Sequence, residues 1–157
     1  MGKQTLYILC GLPGSGKTTL AKQIETEHSA IRFCPDEWME ELGITLWNSE
    51  VRSALEDRFW VLSKKLLAQG ASVVLEYGFW SKSERDRYHE TALQLGARVE
   101  LHYLNVPKDV LKQRLQSRGM EGDAVIIRKL DEYFDVFEQP TETELSQYES
   151  HMENPPL

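Results

Sequence analysis

The sequence predicts a three-layer α/β/α fold with a central parallel sheet and a helical lid. Short apolar segments alternate along the chain with segments of helical periodicity, which is the order expected when helices join parallel strands. A glycine-rich run, Gly-Leu-Pro-Gly-Ser-Gly-Lys-Thr at 11–18, lies between the first strand and the first helix. The length of 157 residues suits one domain with a sizeable core. We therefore expect a single domain over 1–157.

The first half of the chain contains two strands and two long helical segments. Residues 5–10 are an apolar run of strand length, and residues 19–25 show helical spacing of apolar side chains. Residues 30–34 form a second short strand, which Pro35 ends. A helix over 50–69 follows, because its apolar residues recur every three or four positions.

The third and fourth strands lie in the second half of the chain. Residues 71–76 are a near-continuous apolar run, which is typical of a parallel strand covered on both faces. Ser81 and Glu84 have the spacing of a capping box and open a helix that continues to about Leu95. Residues 98–104 are the next strand.

The chain ends in two helical segments and an acidic tail. Helices are predicted over 107–118 and from about Asp123 to Phe137, and we assign a lid to about 112–130. Residues 141–157 contain no convincing strand, so a frayed tail is expected there, and the sequence leaves open whether a fifth strand exists.

The glycine-rich run matches the phosphate-binding loop pattern, and its flanking strand and helix supply the required context. Its glycines let backbone N–H groups turn toward an anion, and the helix start adds partial positive charge. Lys17 reaches the β- and γ-phosphates in this pattern, and the Thr18 hydroxyl binds Mg²⁺. An ordinary glycine-rich turn with a surface lysine is the alternative. The predicted phosphate-binding residues are Gly11, Leu12, Pro13, Gly14, Ser15, Gly16, Lys17, Thr18 and Thr19.

Composition excludes several classes of protein. The net charge is −7, which disfavours non-specific binding of long nucleic acid, although a short nucleic-acid end stays open. No apolar stretch approaches the ~20 residues that span a bilayer, and no signal peptide is expected before the first strand. Cys10 and Cys34 lie in apolar segments and are expected as reduced thiols, which favours the cytoplasm.

Two carboxylates follow or end predicted strands at the edge where ligands collect. Asp36 follows the second strand, where it can accept a hydroxyl proton during phosphoryl transfer. The alternative is that Asp36 caps the following helix. Glu76 ends the third strand and is a candidate for the Mg²⁺ shell, an attacking hydroxyl or a substrate group. Its alternative is an ion pair with a nearby Arg or Lys.

Arg114 and Arg118 lie four residues apart and therefore share one helical face. Together with Lys112 they can close over a triphosphate and neutralise charge on the transferred group. A solvated basic face is the alternative.

Further candidate substrate-binding residues come from other parts of the chain, several of them just after the third strand. Arg85 is a candidate contact to substrate or γ-phosphate, and helical pairing with Asp86 or Glu90 is the alternative. Four aromatic residues are candidate walls of an acceptor pocket, with core packing as the alternative. They are Trp38, Tyr77, Phe79 and Trp80.

Four segments of the sequence together resemble the small P-loop kinases. They are Gly-Leu-Pro-Gly-Ser-Gly-Lys-Thr-Thr-Leu, Pro-Asp-Glu, Val-Val-Leu-Glu-Tyr-Gly-Phe-Trp-Ser-Lys-Ser-Glu-Arg and Asn-Val-Pro-Lys-Asp-Val-Leu-Lys-Gln-Arg-Leu-Gln-Ser-Arg. Over residues 4–140 the chain resembles the bacterial AAA-type ATP-binding proteins, which are similar to zeta toxin, chloramphenicol phosphotransferase and polynucleotide kinase.

This resemblance implies the P-loop NTPase fold, ATP with Mg²⁺, and a hydroxyl acceptor. It implies that Asp36 is the base and that Arg114 and Arg118 are the lid arginines. Phe137–Thr141 resembles the family segment near the adenine. The polynucleotide-kinase group has an Asp-Asn-Thr-Asn-like run after the third strand, whereas this chain has Glu-Tyr-Gly-Phe, and this difference disfavours a nucleic-acid substrate.

Three functions follow as hypotheses. The first is a kinase that transfers the γ-phosphate of ATP to a small hydroxyl compound, with no membrane partner. The second is a 5′-hydroxyl polynucleotide kinase, and the third is a nucleotide-binding module without phosphotransfer. The guanine-reading run Asn-Lys-x-Asp is absent from the sequence, which argues against a GTP switch.

Overall fold

A five-stranded parallel sheet forms the centre of the fold in the computed structural model, which describes residues 3–119 and 122–153. Its strand order is β2-β3-β1-β4-β5, and every pairing between neighbours is parallel. The carboxyl ends of the strands therefore meet at one edge, which is where ligands bind in such sheets. The strands are β1 (Thr5–Cys10), β2 (Ile31–Phe33), β3 (Val73–Gly78), β4 (Arg98–Tyr103) and β5 (Ser150–Glu153).

The helices start where local capping signals predict. The Asn48 side chain accepts from the Val51 N–H at 3.1 Å, and the Ser81 hydroxyl accepts from the Glu84 N–H at 3.1 Å. The helices are α1 (Lys17–Glu27), α2 (Pro35–Glu41), α3 (Ser49–Ala68), α4 (Lys82–Gln94), α5 (Lys108–Arg118), α6 (Asp123–Val136) and α7 (Glu142–Leu145).

The start of α2 differs from the capping alternative considered for Asp36. Cys34 is the N-cap, Pro35 opens the helix, and Asp36 lies inside the first turn. Proline suits the first helical position because its fixed φ matches the helix and its missing N–H needs no partner there. Asp36 therefore has its carboxylate available for other contacts.

Alternation along β1 divides the core between the two faces of the sheet. Leu6 and Ile8 pack in a cluster with Phe59 of α3, and Tyr7 and Leu9 pack in a second cluster with residues of α1. A third cluster joins the loop after β1 to the lid helices. It contains Leu12, Leu111, Ile126 and Leu130.

The fifth strand, which the sequence leaves open, is present in the structure. Glu142–Leu145 form a helix, and Ser150–Glu153 pair in parallel with β4, from Glu100 opposite Ser150 to Tyr103 opposite Glu153. Three of the four strand residues are exposed at this sheet edge, so the segment lacks the apolar pattern that identifies buried strands. The expected frayed tail is thus absent over 142–153, and residues 154–157 lie outside the described residues.

A buried ion pair joins this C-terminal segment to α4. Arg85 Nε donates to Glu144 Oε2 at 2.7 Å and Arg85 Nη2 to Glu144 Oε1 at 2.9 Å. Both side chains are almost completely buried, with 0% and 1% exposure, and Arg85 Nη1 also donates to the Phe79 carbonyl at 2.8 Å. Arg85 therefore has a structural partner in the core, and its expected contact with substrate or γ-phosphate is wrong. Asp86 and Glu90, the expected alternative partners, are not the residues that pair with it.

No helix among the residues that the structure describes is long and apolar enough to cross a membrane.

Glu144→Gln should lower the free energy of unfolding by about 3–5 kcal/mol, because it leaves the Arg85 charge buried without a counter-ion. Urea denaturation at neutral pH measures the change. Asp86→Asn is the matched control, since it breaks the Lys82–Asp86 pair at the surface, and it should cost less than about 1 kcal/mol. Equal losses in the two variants would contradict the assigned role of the buried pair.

Candidate functional site

A cavity of about 570 Å³ opens at the carboxyl edge of the sheet. Its wall combines the loop after β1, the ends of β2 and β3, the segment that leads into α3, and the lid helices. The lining residues are Pro13, Gly14, Gly16, Lys17, Thr18, Thr19, Cys34, Asp36, Leu46, Trp47, Arg52, Glu76, Tyr77, Gly78, Trp80, Leu115, Arg118, Ile126, Lys129 and Tyr133.

The loop after β1 has the backbone shape of an anion cradle. Gly14 and Gly16 have φ values of 85° and 100°, which residues with a side chain rarely adopt. Lys17 begins α1, and its ammonium donates to the carbonyls of Gly11 at 3.0 Å and Leu12 at 3.1 Å. The Lys17 side chain thus folds back over the loop and places its ammonium group against the loop backbone. In such loops the backbone N–H groups face an anion.

Burial lowers the pKa of Lys17 to about 8, and the carboxylates of Glu76 and Asp36 partly oppose this effect. A buried ammonium whose hydrogen-bond partners are carbonyl oxygens has no full counter-charge. An anion in the cradle would supply one, because opposite charge favours the protonated form.

The predicted loop residues divide into two groups. Pro13, Gly14, Gly16, Lys17, Thr18 and Thr19 line the cavity. The other three predicted residues support the loop from behind: Leu12 packs in the lid cluster, Ser15 is buried, and the Gly11 N–H donates to the Gly78 carbonyl at 3.0 Å. A Cβ at Gly11 would lie 2.6 Å from the Ser15 hydroxyl, so this position has no room for a side chain.

Asp36 and Glu76 both line the cavity, as their strand-end positions predict. Asp36 forms an ion pair with Arg52 of α3. Glu76 is 7% exposed and accepts from Arg32 Nη2 at 3.4 Å through one oxygen. Its other oxygen, Oε1, is buried and has no hydrogen-bond partner among the described residues.

The unpartnered Glu76 oxygen and the Thr18 hydroxyl fit a magnesium site. Buried carboxylate oxygens rarely stay without a donor, so Oε1 is suited to accept from a metal-bound water. The described residues include no group of three or more His, Cys, Asp or Glu that could hold a metal alone. This suits Mg²⁺, which usually keeps several waters and binds substrate phosphates with one or two protein ligands.

The two lid arginines both approach the loop but in different ways. Arg118 lines the cavity, whereas Arg114 Nη1 donates to the Gly14 carbonyl at 2.9 Å. Arg114 therefore fastens α5 to the loop backbone, whereas Arg118 contributes to the cavity wall.

Two of the four aromatic residues that are candidate walls of an acceptor pocket line the cavity, and two do not. Tyr77 and Trp80 line the cavity, and Trp80 Nε1 donates to the Gly11 carbonyl at 3.3 Å. Phe79 is buried in the core, and Trp38 packs edge-on against Phe59 with ring centroids 5.0 Å apart. Phe79 thus follows the core-packing alternative, whereas Trp38 is 42% exposed, contacts the edge of the core and does not line the cavity.

Sequence reasoning missed three residues that close the cavity from opposite sides. Arg52 comes from α3, Trp47 from the segment before α3, and Lys129 from α6. The Lys129 ammonium lies 3.6 Å from the centroid of the Trp47 ring. No local pattern in the sequence indicates this contact, because it joins residues 82 positions apart (129 − 47).

Two solved kinase structures share this fold along nearly their whole length. A gluconokinase from Sinorhizobium meliloti 1021 has a TM-score of 0.65 at 19% identity, covering 98% of this chain and 83% of that chain. The Mycobacterium tuberculosis APS kinase CysC has a TM-score of 0.66 at 15% identity, covering 100% of this chain and 91% of that chain.

A third similar structure is a chain of the Pnkp1/Rnl/Hen1 complex, with a TM-score of 0.61 and 23% identity over 73% of this chain and 40% of that chain. At such identities these likenesses show the fold. Among proteins with curated functions there is no significant sequence match.

The profile of the AAA domain family matches residues 6–140, which include the phosphate loop, both carboxylates and the lid helices. Because this match covers most of the sequence and the sheet has the P-loop NTPase arrangement, the chain belongs to the AAA domain family of P-loop proteins.

Proposed function

We propose that this protein is an ATP-dependent kinase that phosphorylates a hydroxyl group of a small molecule. The observation that carries the proposal is one cavity whose lining contains both an anion cradle with Lys17 and the carboxylate of Asp36. Phosphoryl transfer needs these two elements at either end of one in-line arrangement.

The cradle would hold the triphosphate of ATP. Loop N–H groups and Lys17 bind the phosphates, and Arg118 neutralises charge on the transferred group. The Thr18 hydroxyl and the Glu76 carboxylate would hold magnesium, which would supply further positive charge beside the triphosphate. The residues needed for each contact line the same cavity.

Asp36 would orient the acceptor and receive its proton. The acceptor oxygen forms a bond to the γ-phosphorus while the bond from that phosphorus to the β–γ bridging oxygen breaks. The bridging oxygen leaves with the electron pair as part of ADP, and the hydroxyl proton goes to the Asp36 carboxylate. Positioning and charge stabilisation supply most of the acceleration in reactions of this type.

The similar gluconokinase and APS kinase, by their names, support a small acceptor. The net charge of −7 gives no support to a long nucleic-acid substrate. We therefore treat transfer to an oligonucleotide, and nucleotide binding without transfer, as alternative outcomes of the experiments.

The main test measures ADP release with ATP, Mg²⁺ and a panel of hydroxyl compounds that includes a short 5′-hydroxyl oligonucleotide. Asp36→Asn should lower kcat by about 10²–10⁴-fold and change the Kd for ATP by less than about threefold, because proton transfer is lost and the cradle is intact.

Glu41→Gln, an exposed substitution on the same helix, is the control and should behave as wild type. Transfer confined to the oligonucleotide would favour the polynucleotide-kinase alternative. Tight ATP binding with no transfer to any acceptor would favour the binding module.

Arg118→Ala should lower kcat by about 10³-fold or more while the Kd for ATP changes only a few-fold, because the arginine acts mainly on charge in the transition state. Steady-state kinetics and nucleotide titration measure the two quantities separately. Arg128→Ala, which removes an exposed arginine from α6, is the matched control. Unchanged turnover in Arg118→Ala would remove this residue from the transfer step.

Binding of ATP should take up protons near pH 8. Without ATP the pKa of Lys17 is lowered to about 8, so part of the Lys17 population is neutral at pH 8. The bound triphosphate favours the charged form of Lys17. Calorimetry in buffers of different ionisation enthalpy should show that ATP binding takes up about half a proton at pH 8, and that this uptake increases when the pH is raised further. Lys17→Met should remove this uptake, and equal uptake in the variant would contradict the assignment to Lys17.

A further inference from the structure

One part of the cavity lining, which contains Asp36 and residues at the start of α3, is called the acceptor wall. It consists of Cys34, Asp36, Leu46, Trp47, Arg52 and Tyr77, and its own cationic residue is Arg52. The other cationic lining residues are Lys17 at the phosphate loop and Arg118 and Lys129 on α5 and α6. The Lys129 ammonium lies over the Trp47 ring of the acceptor wall, 3.6 Å from its centroid.

Arg52 is fixed at two points and still open to the cavity. Its Nη1 donates to Asp36, and its Nη2 donates to the Leu46 carbonyl at 3.1 Å. The side chain is 30% exposed. A guanidinium has more N–H donors than these two contacts use, so Arg52 can keep Asp36 and bind a further acceptor atom at the same time.

Nearby cations reduce the negative charge of the acidic residues around Arg52. Arg32 lies 3.4 Å from Glu76 and 2.9 Å from Glu37 and balances one of these two charges, and Arg52 itself balances Asp36. Glu56 lies one turn beyond Arg52 on α3. Burial, followed by repulsion from Glu84, raises the pKa of Glu56 to about 7, so its charge is only partial near neutral pH.

We propose that the acceptor carries an anionic group, a carboxylate, sulfate or phosphate, and that Arg52 binds this group while it holds Asp36. The inference rests on the proposed kinase function and names its class of substrate. A guanidinium binds such groups through paired, directional hydrogen bonds, which a neutral hydroxyl compound cannot match.

The position of Arg52 also limits the shape of the acceptor. The Arg52 guanidinium contacts both the anionic group of the acceptor and Asp36, the carboxylate that receives the hydroxyl proton. The reactive hydroxyl and the anionic group of the acceptor therefore lie close together. The acceptor is therefore a compact molecule whose reactive hydroxyl is only a few bonds from its anionic group. Trp47 and Tyr77 supply apolar surface beside it on the same wall.

The first experiment compares matched acceptors in the full-length protein with ATP and Mg²⁺. Each pair contains a hydroxy acid and its amide, or a polyol and its monosulfate or monophosphate. The anionic member should show at least about 30-fold higher kcat/KM than the neutral one, and Arg52→Gln should abolish this preference mainly through KM. Arg52→Lys should restore part of it, because lysine keeps the charge and loses the paired geometry.

Arg58→Gln is the matched control, since Arg58 is exposed on the same helix and does not line the cavity. Equal turnover of neutral and anionic members, or a preference that survives in Arg52→Gln, would overturn the proposal and leave the kinase function standing.

The second experiment needs no turnover and separates failure of this proposal from failure of the kinase function. The phosphate loop is saturated with Mg²⁺ and a non-hydrolysable ATP analogue, and sulfate, phosphate or acetate is added at constant ionic strength. The side-chain Nε–H resonance of Arg52, assigned from its absence in Arg52→Gln, should shift saturably at millimolar anion. An Nε–H resonance that does not respond to any of the three anions overturns the proposal whether or not an acceptor is found.

Discussion

The shape of the phosphate loop depends on the backbone of Gly11, whose N–H and carbonyl are held by Gly78, Lys17 and Trp80. The Gly11 N–H donates to the Gly78 carbonyl at 3.0 Å, and its carbonyl accepts from Lys17 Nζ at 3.0 Å and Trp80 Nε1 at 3.3 Å. Gly78 permits this approach, because a Cβ there would lie 2.9 Å from Trp80 Nε1 and its φ is +93°. The start of the loop is therefore fixed by a neighbouring strand rather than by the loop alone.

The same arrangement links the cradle to the lid. Arg114 holds the Gly14 carbonyl, and Leu12 packs against Leu111 of α5. On the far side of the cavity Lys129 lies over Trp47, which joins α6 to the segment before α3. The cavity is thus bounded by side chains from several elements that meet at the carboxyl edge of the parallel sheet, and α5 and α6 contact both the phosphate loop and the segment before α3.

The parts of the site that the sequence predicted are those encoded by local pattern. The phosphate loop lies within eight consecutive residues, and Asp36 and Glu76 follow from the rule that ligands bind beyond the carboxyl ends of parallel strands. Arg52, Trp47 and Lys129 could not be predicted in this way. Their roles depend on how α3 and α6 pack across the cavity. The sequence does not show whether a charged residue on a helix, or a tryptophan in a loop, faces a ligand or solvent.

The sequence leaves the C-terminal edge of the sheet open for a similar reason. Strand β5 is short and mostly exposed, so its residues lack the continuous apolar pattern of β1 and β3. Its position is defined by pairing with β4 and by the nearby Glu144, whose partner Arg85 is 59 residues away. In the sequence Arg85 is a candidate for substrate contact or for pairing along its own helix, because helical periodicity alone does not show which distant carboxylate a side chain meets.

The location of Glu144 has a consequence for how the domain is delimited. The family match ends at residue 140, yet the counter-charge for a fully buried guanidinium comes from just beyond that boundary. A chain cut at residue 140 would keep every predicted catalytic group and still leave the charge of Arg85 uncompensated next to the Phe79 carbonyl, just after the end of β3. Glu144, Leu145 and Tyr148 are therefore part of the interior, and the folding unit extends beyond the limit of the family match.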